Sequence, residues 1–214
     1  NNVQYQHHTG EYTGYQANLN INGETKNRMN FGFNMNFGTE RKDFFEPREG
    51  NTSGVYFLRP QRININPWIG TNRQKKFSIN GFLFTTMFKN DPKKSFGFGF
   101  RPRYRVSNQF SLNYNFNYNK TSNDQGYVDK VNTDIIFGQR DRKSYTNSLS
   151  GRYSFSTRSA LSLSFRHYWA SVAYNNNYSK LNTDGTLSPI AYTNGSDINY
   201  NTWNLDLNYV WQFA

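Results

Sequence analysis

The feature that most constrains the fold of this chain is a strict alternation of side-chain type between Ser95 and Lys120. One set of alternate positions is almost entirely apolar and comprises Phe96, Phe98, Phe100, Pro102, Tyr104, Phe110, Leu112, Tyr114, Phe116 and Tyr118. The positions between them are Gly, Arg, Ser and Asn. Two such runs on either side of a short turn predict a long β-hairpin with one apolar and one polar face.

This hairpin suits either a soluble sandwich with its aromatics inside or a membrane barrel with its aromatics outside. Strand length favours the barrel, because a tilted bilayer crossing takes about 9–11 residues, whereas soluble strands usually have about 5–6. The chain is 18% aromatic, yet its mean hydropathy is −0.90. A barrel explains this combination, since only one of its faces is apolar. No apolar run approaches the roughly 18 residues of a transmembrane helix, so any membrane crossing would use strands.

The same alternation recurs along the 214 residues. It predicts crossings at about 11–21, 29–38, 55–69, 77–88, 95–105, 109–120, 144–155, 160–173 and 199–213. The long loops predicted on the extracellular side are 39–54, 121–144 and 174–198. We treat 121–144 as one external excursion, because this choice leaves the short turns at 22–28, 71–76, 106–108 and 156–159 together on the other side, with 39–54 and 89–94 on the extracellular side.

The predicted fold is therefore all-β, an antiparallel up-and-down transmembrane β-barrel or one wall of a larger barrel. About nine to ten strands fall within residues 1–214. Bacterial single-chain barrels usually have an even number of strands. An odd count of crossings therefore predicts either a missing strand or a segment cut from a larger barrel in a longer chain.

Three cross-strand pairs set the predicted registers: Ile21 with Met29, Met87 with Phe96, and Trp203 with Trp169. The second register places Phe84 over Gly99 and Phe82 over Arg101. A ring that covers a glycine on the next strand stabilises a sheet, and a ring beside a guanidinium makes a cation–π contact. The third register places Asp206 opposite Arg166, and we interpret these two residues as a structural ion pair.

Charged side chains on the polar face are candidate lumen residues: Arg101, Arg103, Arg105, Arg152, Arg166 and Asp206. The arginines could form an anion-attracting lumen wall. Alternatively, they could be tied to lumen carboxylates, to a plug or to a periplasmic domain. Large aromatics near the strand ends are candidates for an aromatic girdle at the membrane surface: Tyr104, Trp169, Trp203 and Trp211.

Composition and spacing argue against several other functions. The chain has no cysteine, which excludes disulfides and Cys-based metal or redox sites. Its net charge is +11, but the basic residues are scattered through turns and lumen positions, so we predict no nucleic-acid partner. The histidines are His7, His8 and His167, and none is placed as a base beside a nucleophile. The acidic loop with Asp43, Glu46 and Glu49 could bind a divalent cation, but it lacks regular ligand spacing. We predict no cofactor, no metal and no catalytic residue.

Four groups of residues carry a family resemblance. They are 42–48 (KDFFEPR) with 56–60, 136–141 (IFGQRD), 166–170 (RHYWA) with 181–187, and 199–207 with 211–214 (WQFA). Together they resemble the carboxy-terminal region of a family of uncharacterised outer-membrane proteins from Bacteroidota. Members of that family carry an amino-terminal domain similar to family 9 carbohydrate-binding modules, followed by a large β-barrel region. The resemblance implies that any sugar-binding residues lie before residue 1, so no site is transferred.

The resulting expectation is a bacterial outer-membrane protein in contact with lipid and lipopolysaccharide. The first hypothesis is that the barrel anchors a carbohydrate-binding domain or joins a complex with other outer-membrane or surface proteins. The second is a pore or transporter for anionic or sugar solutes. The third, a membrane-barrel hydrolase, rests on fold analogy alone.

Overall fold

A computed structural model describes residues 2–5, 10–50, 53–193 and 197–213. These residues form strands and no helix. The strands are β1 (Asn2–Tyr5), β2 (Tyr12–Glu24), β3 (Asn30–Gly38), β4 (Arg41–Asp43), β5 (Phe57–Arg59), β6 (Arg62–Gly70), β7 (Phe77–Phe88), β8 (Lys94–Arg105), β9 (Phe110–Val131), β10 (Asp134–Ser154), β11 (Ser159–Leu181), β12 (Leu187–Ile190) and β13 (Ile198–Trp211). None of the described segments is a helix with the length and hydrophobicity that a membrane crossing requires.

One antiparallel sheet of 11 strands contains most of the chain, in the order β1-β2-β3-β6-β7-β8-β9-β10-β11. Strands β12 and β13 both pair with β11, and β4 and β5 form a separate two-stranded sheet. The prediction of an all-β antiparallel fold is confirmed. The described sheet is open, however, because β1 at one end and β13 at the other do not pair with each other.

Each of the nine predicted crossings contains or overlaps one of the nine long strands, β2, β3, β6 to β11 and β13. The predicted crossing 55–69 is corrected at its start, because β6 begins at Arg62 and residues 57–59 form β5, which pairs with β4 instead. The count of nine to ten strands is corrected because four short strands add to the nine long ones: β1, β4, β5 and β12. Strands β9 and β10 also extend further than predicted. Residues 121–144 form the half of the β9–β10 hairpin that lies furthest from the short turns. Residues 174–181 continue β11 in the same direction.

The observed registers differ from the predicted ones by even numbers of residues. The observed pairs are Ile21 with Phe33, Met87 with Lys94, and Trp203 with His167. In the first hairpin the turn lies further along the chain than the predicted register requires. The Thr25 N–H donates to the Met29 carbonyl across this turn, and Arg28 within it has a φ of 59°. An even shift leaves every side chain on its predicted face, because strand side chains alternate with a period of two.

Aromatic rings cover glycines on the polar face, as predicted, but each ring lies two residues away from its predicted partner. Phe82 lies opposite Gly99 and Phe84 opposite Gly97. The Arg101 guanidinium carbon lies 5.6 Å from the centre of the Phe82 ring, so the predicted cation–π contact forms diagonally.

We expect Gly99→Ala to lower the free energy of unfolding by about 1–3 kcal/mol, the usual cost of overpacking. A Cβ at Gly99 would lie 2.6 Å from both Phe82 Cε1 and Asn117 Oδ1. The matched control is Gly81→Ala on the opposite face, where the nearest atom to a new Cβ is 3.6 Å away. Urea titration of both variants measures the difference, and equal stabilities would contradict the close packing of Phe82.

The described hydrophobic core lies at the end of the sheet where the long connections are. Phe57 packs against Phe137 with ring centres 4.8 Å apart, and Ile135 and Leu181 complete the cluster. Phe137 is fully buried. The connection between β3 and β6, with its β4–β5 sheet, therefore folds onto the distal part of β9, β10 and β11. We call this packed region the loop cap.

Candidate functional site

One face of the main sheet is apolar and uncovered. Its exposed large side chains include Leu19, Ile21, Phe31, Ile69, Leu83, Met87, Phe96, Leu149, Leu163, Leu205 and Leu207. A soluble domain buries such residues, and a contiguous exposed apolar patch of this kind marks an interaction surface. We call this face the apolar belt.

The pairing of β9, β10, β11 and β13 arranges the belt in rows. The middle row is Tyr114, Leu149, Phe165 and Leu205. A row rich in rings lies towards the loop cap: Tyr118, Tyr145 and Trp169. Another lies towards the short turns: Phe110, Tyr153 and Tyr209. The next row towards the loop cap, past Tyr118, Tyr145 and Trp169, has polar side chains: Lys120, Lys143 and Ser171.

The predicted girdle residues lie at both ends of the belt. Trp169 stacks on Tyr145 with ring centres 5.2 Å apart, and Trp203 is 67% exposed one row nearer the middle. At the short-turn end, Tyr104 pairs with Leu112, and Trp211 contacts Phe213 with ring centres 4.6 Å apart. The strands thus place Trp and Tyr on both sides of a more aliphatic centre.

A chain of polar groups crosses the belt in its cap-side half. The Tyr114 hydroxyl donates to Asn147 Oδ1 at 2.7 Å, and Asn147 Nδ2 lies 3.3 Å from His167 Nδ1. His167 Nε2 then lies 2.9 Å from Asn201 Oδ1. Because these groups satisfy one another, they can occupy an apolar surface at lower cost. His167 lies on the predicted face, whereas His7 and His8 lie outside the described residues.

The opposite face of the sheet is polar and carries the predicted lumen residues. Arg101 Nε donates to Asn115 Oδ1 at 3.1 Å, and Arg166 Nη2 lies 3.3 Å from Asp206 Oδ2 across a diagonal. No described carboxylate lies within 4 Å of Arg101, Arg103, Arg105 or Arg152. This face is therefore cationic, and the structure brings its arginines into one surface without joining them into a catalytic arrangement.

A buried ion network, absent from the predicted site, lies beside the loop cap. The Asp124 side chain is 2% exposed, and Lys93 Nζ lies 2.5 Å from its Oδ1. Arg142 Nε and Arg140 Nε lie 3.0 and 3.2 Å from Oδ2. Burial alone would raise the pKa of Asp124, but these three cations outweigh burial and hold it below its ordinary value.

The acidic side chains of the cap bind arginine and lysine. Arg59 Nε lies 2.7 Å from Asp43 Oδ2, and Arg59 Nη2 lies 2.8 Å from Glu46 Oε2. Lys130 Nζ lies 2.7 Å from Glu49 Oε2. Burial would raise the pKa of Asp43, but its hydrogen bond to Arg59 and the charge of Arg59 outweigh burial and lower it. Within the described ranges, no three His, Cys, Asp or Glu side chains converge in a way that could hold a metal ion.

A cavity of about 210 Å³ lies between the cap and the polar face of the sheet. Its floor is one cross-strand row, Gln16, Gly38, Arg62 and Phe88. Its other basic side chains are Arg41, Arg59, Lys93 and Arg142. We call it the basic cavity. Sequence reasoning missed it because its residues come from segments distant in the chain, and no local motif marks them.

Comparison with known families gives one result. Residues 1–214 match the family described as "Domain of unknown function (DUF5916)". No curated protein and no solved structure matches the chain. The match covers the open sheet, the loop cap and the basic cavity alike. The chain belongs to the DUF5916 family.

Proposed function

We propose that this chain forms part of the wall of an outer-membrane β-barrel, with the apolar belt facing lipid and the polar face directed inward. The observation that carries the proposal is the exposure of the belt on neighbouring strands while the buried core is confined mainly to the loop cap. Lipid would cover this face without a second protein layer.

The height of the belt fits a membrane. The run from Lys143 to Phe155, one residue past the end of β10, would span about 28 Å of membrane thickness, at a rise of roughly 3.3 Å per residue and a tilt of about 45°. Outer-membrane barrels have an apolar band about 25 Å tall, flanked by aromatic girdles. The ring-rich rows beside Leu149 and Phe165 match that arrangement.

The open edges of the sheet add a requirement to this proposal. In the described sheet, β13 pairs with β11 on one side only, and the Ala17–Glu24 part of β2 pairs only with β3. Unpaired backbone groups are too costly inside a bilayer. Further strands, from the same polypeptide or from another, must therefore cover these edges in the membrane.

For the activity we propose anchoring, in which the barrel holds a surface domain or a partner protein at the outer membrane. The support is the loop cap, which is packed through Phe57 and Phe137 and ion-paired through Arg59. A rigid cap suits a fixed attachment better than a free opening. The resemblance to Bacteroidota outer-membrane proteins suggests a carbohydrate-binding domain similar to family 9 as the anchored part.

Cysteine substitution tests the membrane placement, because residues 1–214 contain no native cysteine and any cysteine elsewhere in the full-length protein can be replaced first. Leu163→Cys on the apolar belt and Ser164→Cys on the polar face are adjacent in β11. In full-length protein folded into vesicles, an environment-sensitive fluorophore should report lipid at position 163 and water at position 164. The same water-like signal at both positions would contradict the proposal.

A pore for anions is the second candidate, favoured by Arg101, Arg103 and Arg105 on the polar face, which have no carboxylate partner among the described residues. If the lumen is open, the full-length protein should conduct steadily in a planar bilayer with preference for anions. Replacing the three arginines with glutamine should then reduce that preference. A protein that folds into the bilayer and carries no current would exclude the pore and leave the anchoring proposal intact.

A further inference from the structure

The basic cavity contains more positive charge than its carboxylates neutralise. Arg59 is paired with Asp43 and Glu46, and Lys93 and Arg142 share Asp124. For Arg41 and Arg62, by contrast, no carboxylate among the described residues lies within 4 Å.

Backbone pairing forces this charge together. Arg41 lies directly opposite Arg59 in the β4–β5 ladder, a position where like charges are destabilising. Arg62 lies below them on the cavity floor, with its Nε 3.3 Å from where a Cβ at Gly38 would be. A side chain at residue 38 would crowd this guanidinium, so the glycine leaves room for it.

We propose that the basic cavity binds a compact oxyanion, with Arg62 and Arg41 as its principal ligands. A guanidinium presents paired N–H donors that match the oxygens of phosphate, sulfate or carboxylate. The volume of about 210 Å³ is several times the roughly 30 Å³ share of one water molecule. It accommodates an oxyanion and part of the molecule that carries it.

The ligand reaches the cavity from the polar side of the sheet. The floor residues Gln16, Gly38 and Arg62 form one cross-strand row on that face, opposite the apolar belt. The oxyanion is therefore a free ion or the anionic group of a water-soluble molecule such as a sugar phosphate. The inference uses only residues around the cavity, so it stands whether or not the belt faces lipid.

Calorimetric titration of the full-length protein with inorganic phosphate, glucose 6-phosphate and glucose tests the proposal. Both anions should bind saturably at one site, and Arg62→Gln should weaken them by at least about tenfold, the loss expected for a charged hydrogen bond. Arg73→Gln, in the exposed turn before β7, is the matched control and should leave binding unchanged. Equal affinities for the two anions would identify the ion itself as the ligand, and tighter binding of the sugar phosphate would show that the carrier also contributes.

Three results would overturn the proposal. They are no saturable binding of either anion, Arg62-dependent binding of glucose as tight as that of its phosphate, or identical titrations for the two variants. Thermal unfolding without phosphate guards against a folding artefact. Arg62→Gln should melt no lower than the wild type, because Arg62 has no described carboxylate partner to leave unpaired. A lower melting temperature would contradict the charge imbalance on which the site depends.

Discussion

Leu149→Arg should make folding into lipid vesicles less favourable by about 2–4 kcal/mol, the cost of an arginine on the lipid face at the bilayer midplane. Leu149 lies in the middle row of the apolar belt, between Tyr114 and Phe165. Its strand is paired on both sides, so the change adds charge to the belt without disturbing a sheet edge. Urea titration of the full-length protein in vesicles measures the loss.

The matched control is Ser150→Arg, one residue later in β10 and on the polar face, where the directly opposite residues are the uncharged Asn113 and Ser164. Because that face is proposed to meet water, its effect should stay within about 0.5 kcal/mol, as for ordinary surface substitutions. Equal losses for the two variants, or a larger loss for Ser150→Arg, would be incompatible with a lipid-facing belt.

Asp124→Asn should be the most damaging single change in the loop cap. It removes the carboxylate that three cations share and leaves Lys93, Arg140 and Arg142 without their common partner. Removal of one partner from a buried ion pair typically costs about 3–5 kcal/mol. Chemical denaturation followed by near-ultraviolet circular dichroism would report this loss.

Asp206→Asn provides the comparison, since it breaks the exposed Arg166–Asp206 pair. We expect a loss of less than about 1 kcal/mol for Asp206→Asn, as for surface salt bridges.

The pH dependence of stability adds a second test of the Asp124 network. The pKa of Asp124 is lowered by folding, so its contribution is present above the ordinary carboxyl pKa of about 4 and is lost as the pH falls through the lowered value. The difference between wild type and Asp124→Asn should therefore shrink in acid, and a constant difference would rule out the ionised carboxylate as its source.

The long strands could be predicted because alternation with a period of two survives errors of register. The predicted Ile21–Met29 and Trp203–Trp169 pairs were wrong by even numbers of residues, so the faces remained right. Alternation fails where a bulge interrupts a strand. Asn123 has a φ of 56°, and two residues of β9, Ser122 and Asn123, there oppose one residue of β10, Asp141. This bulge puts Thr121 and Asp124 on the same face, so the pattern past Lys120 could not be read.

The basic cavity and the Asp124 network could not be predicted, for a different reason. Each is assembled from segments far apart in the chain. Lys93 follows β7, whereas Asp124 lies in β9 and Arg142 in β10. Isolated basic residues in predicted loops look like ordinary solvated charge, and it is the pairing of β8, β9 and β10 past the bulge that brings these three around one carboxylate. Arg101, Arg103 and Arg105, by contrast, lie on one strand, and their common face followed directly from their spacing.

Quenching of tryptophan fluorescence by brominated lipids tests most directly whether the apolar belt lies in lipid. Two variants of the full-length protein would each retain a single tryptophan within these residues, Trp203 on the belt or Trp68 on the polar face. Trp68 is a suitable reference because it lies opposite Gly32 and so belongs to the face turned away from the belt. We expect strong quenching of Trp203, greatest for bromines placed near the headgroups, and little quenching of Trp68. Unquenched Trp203, or equal quenching of the two, would contradict the proposed orientation of the sheet.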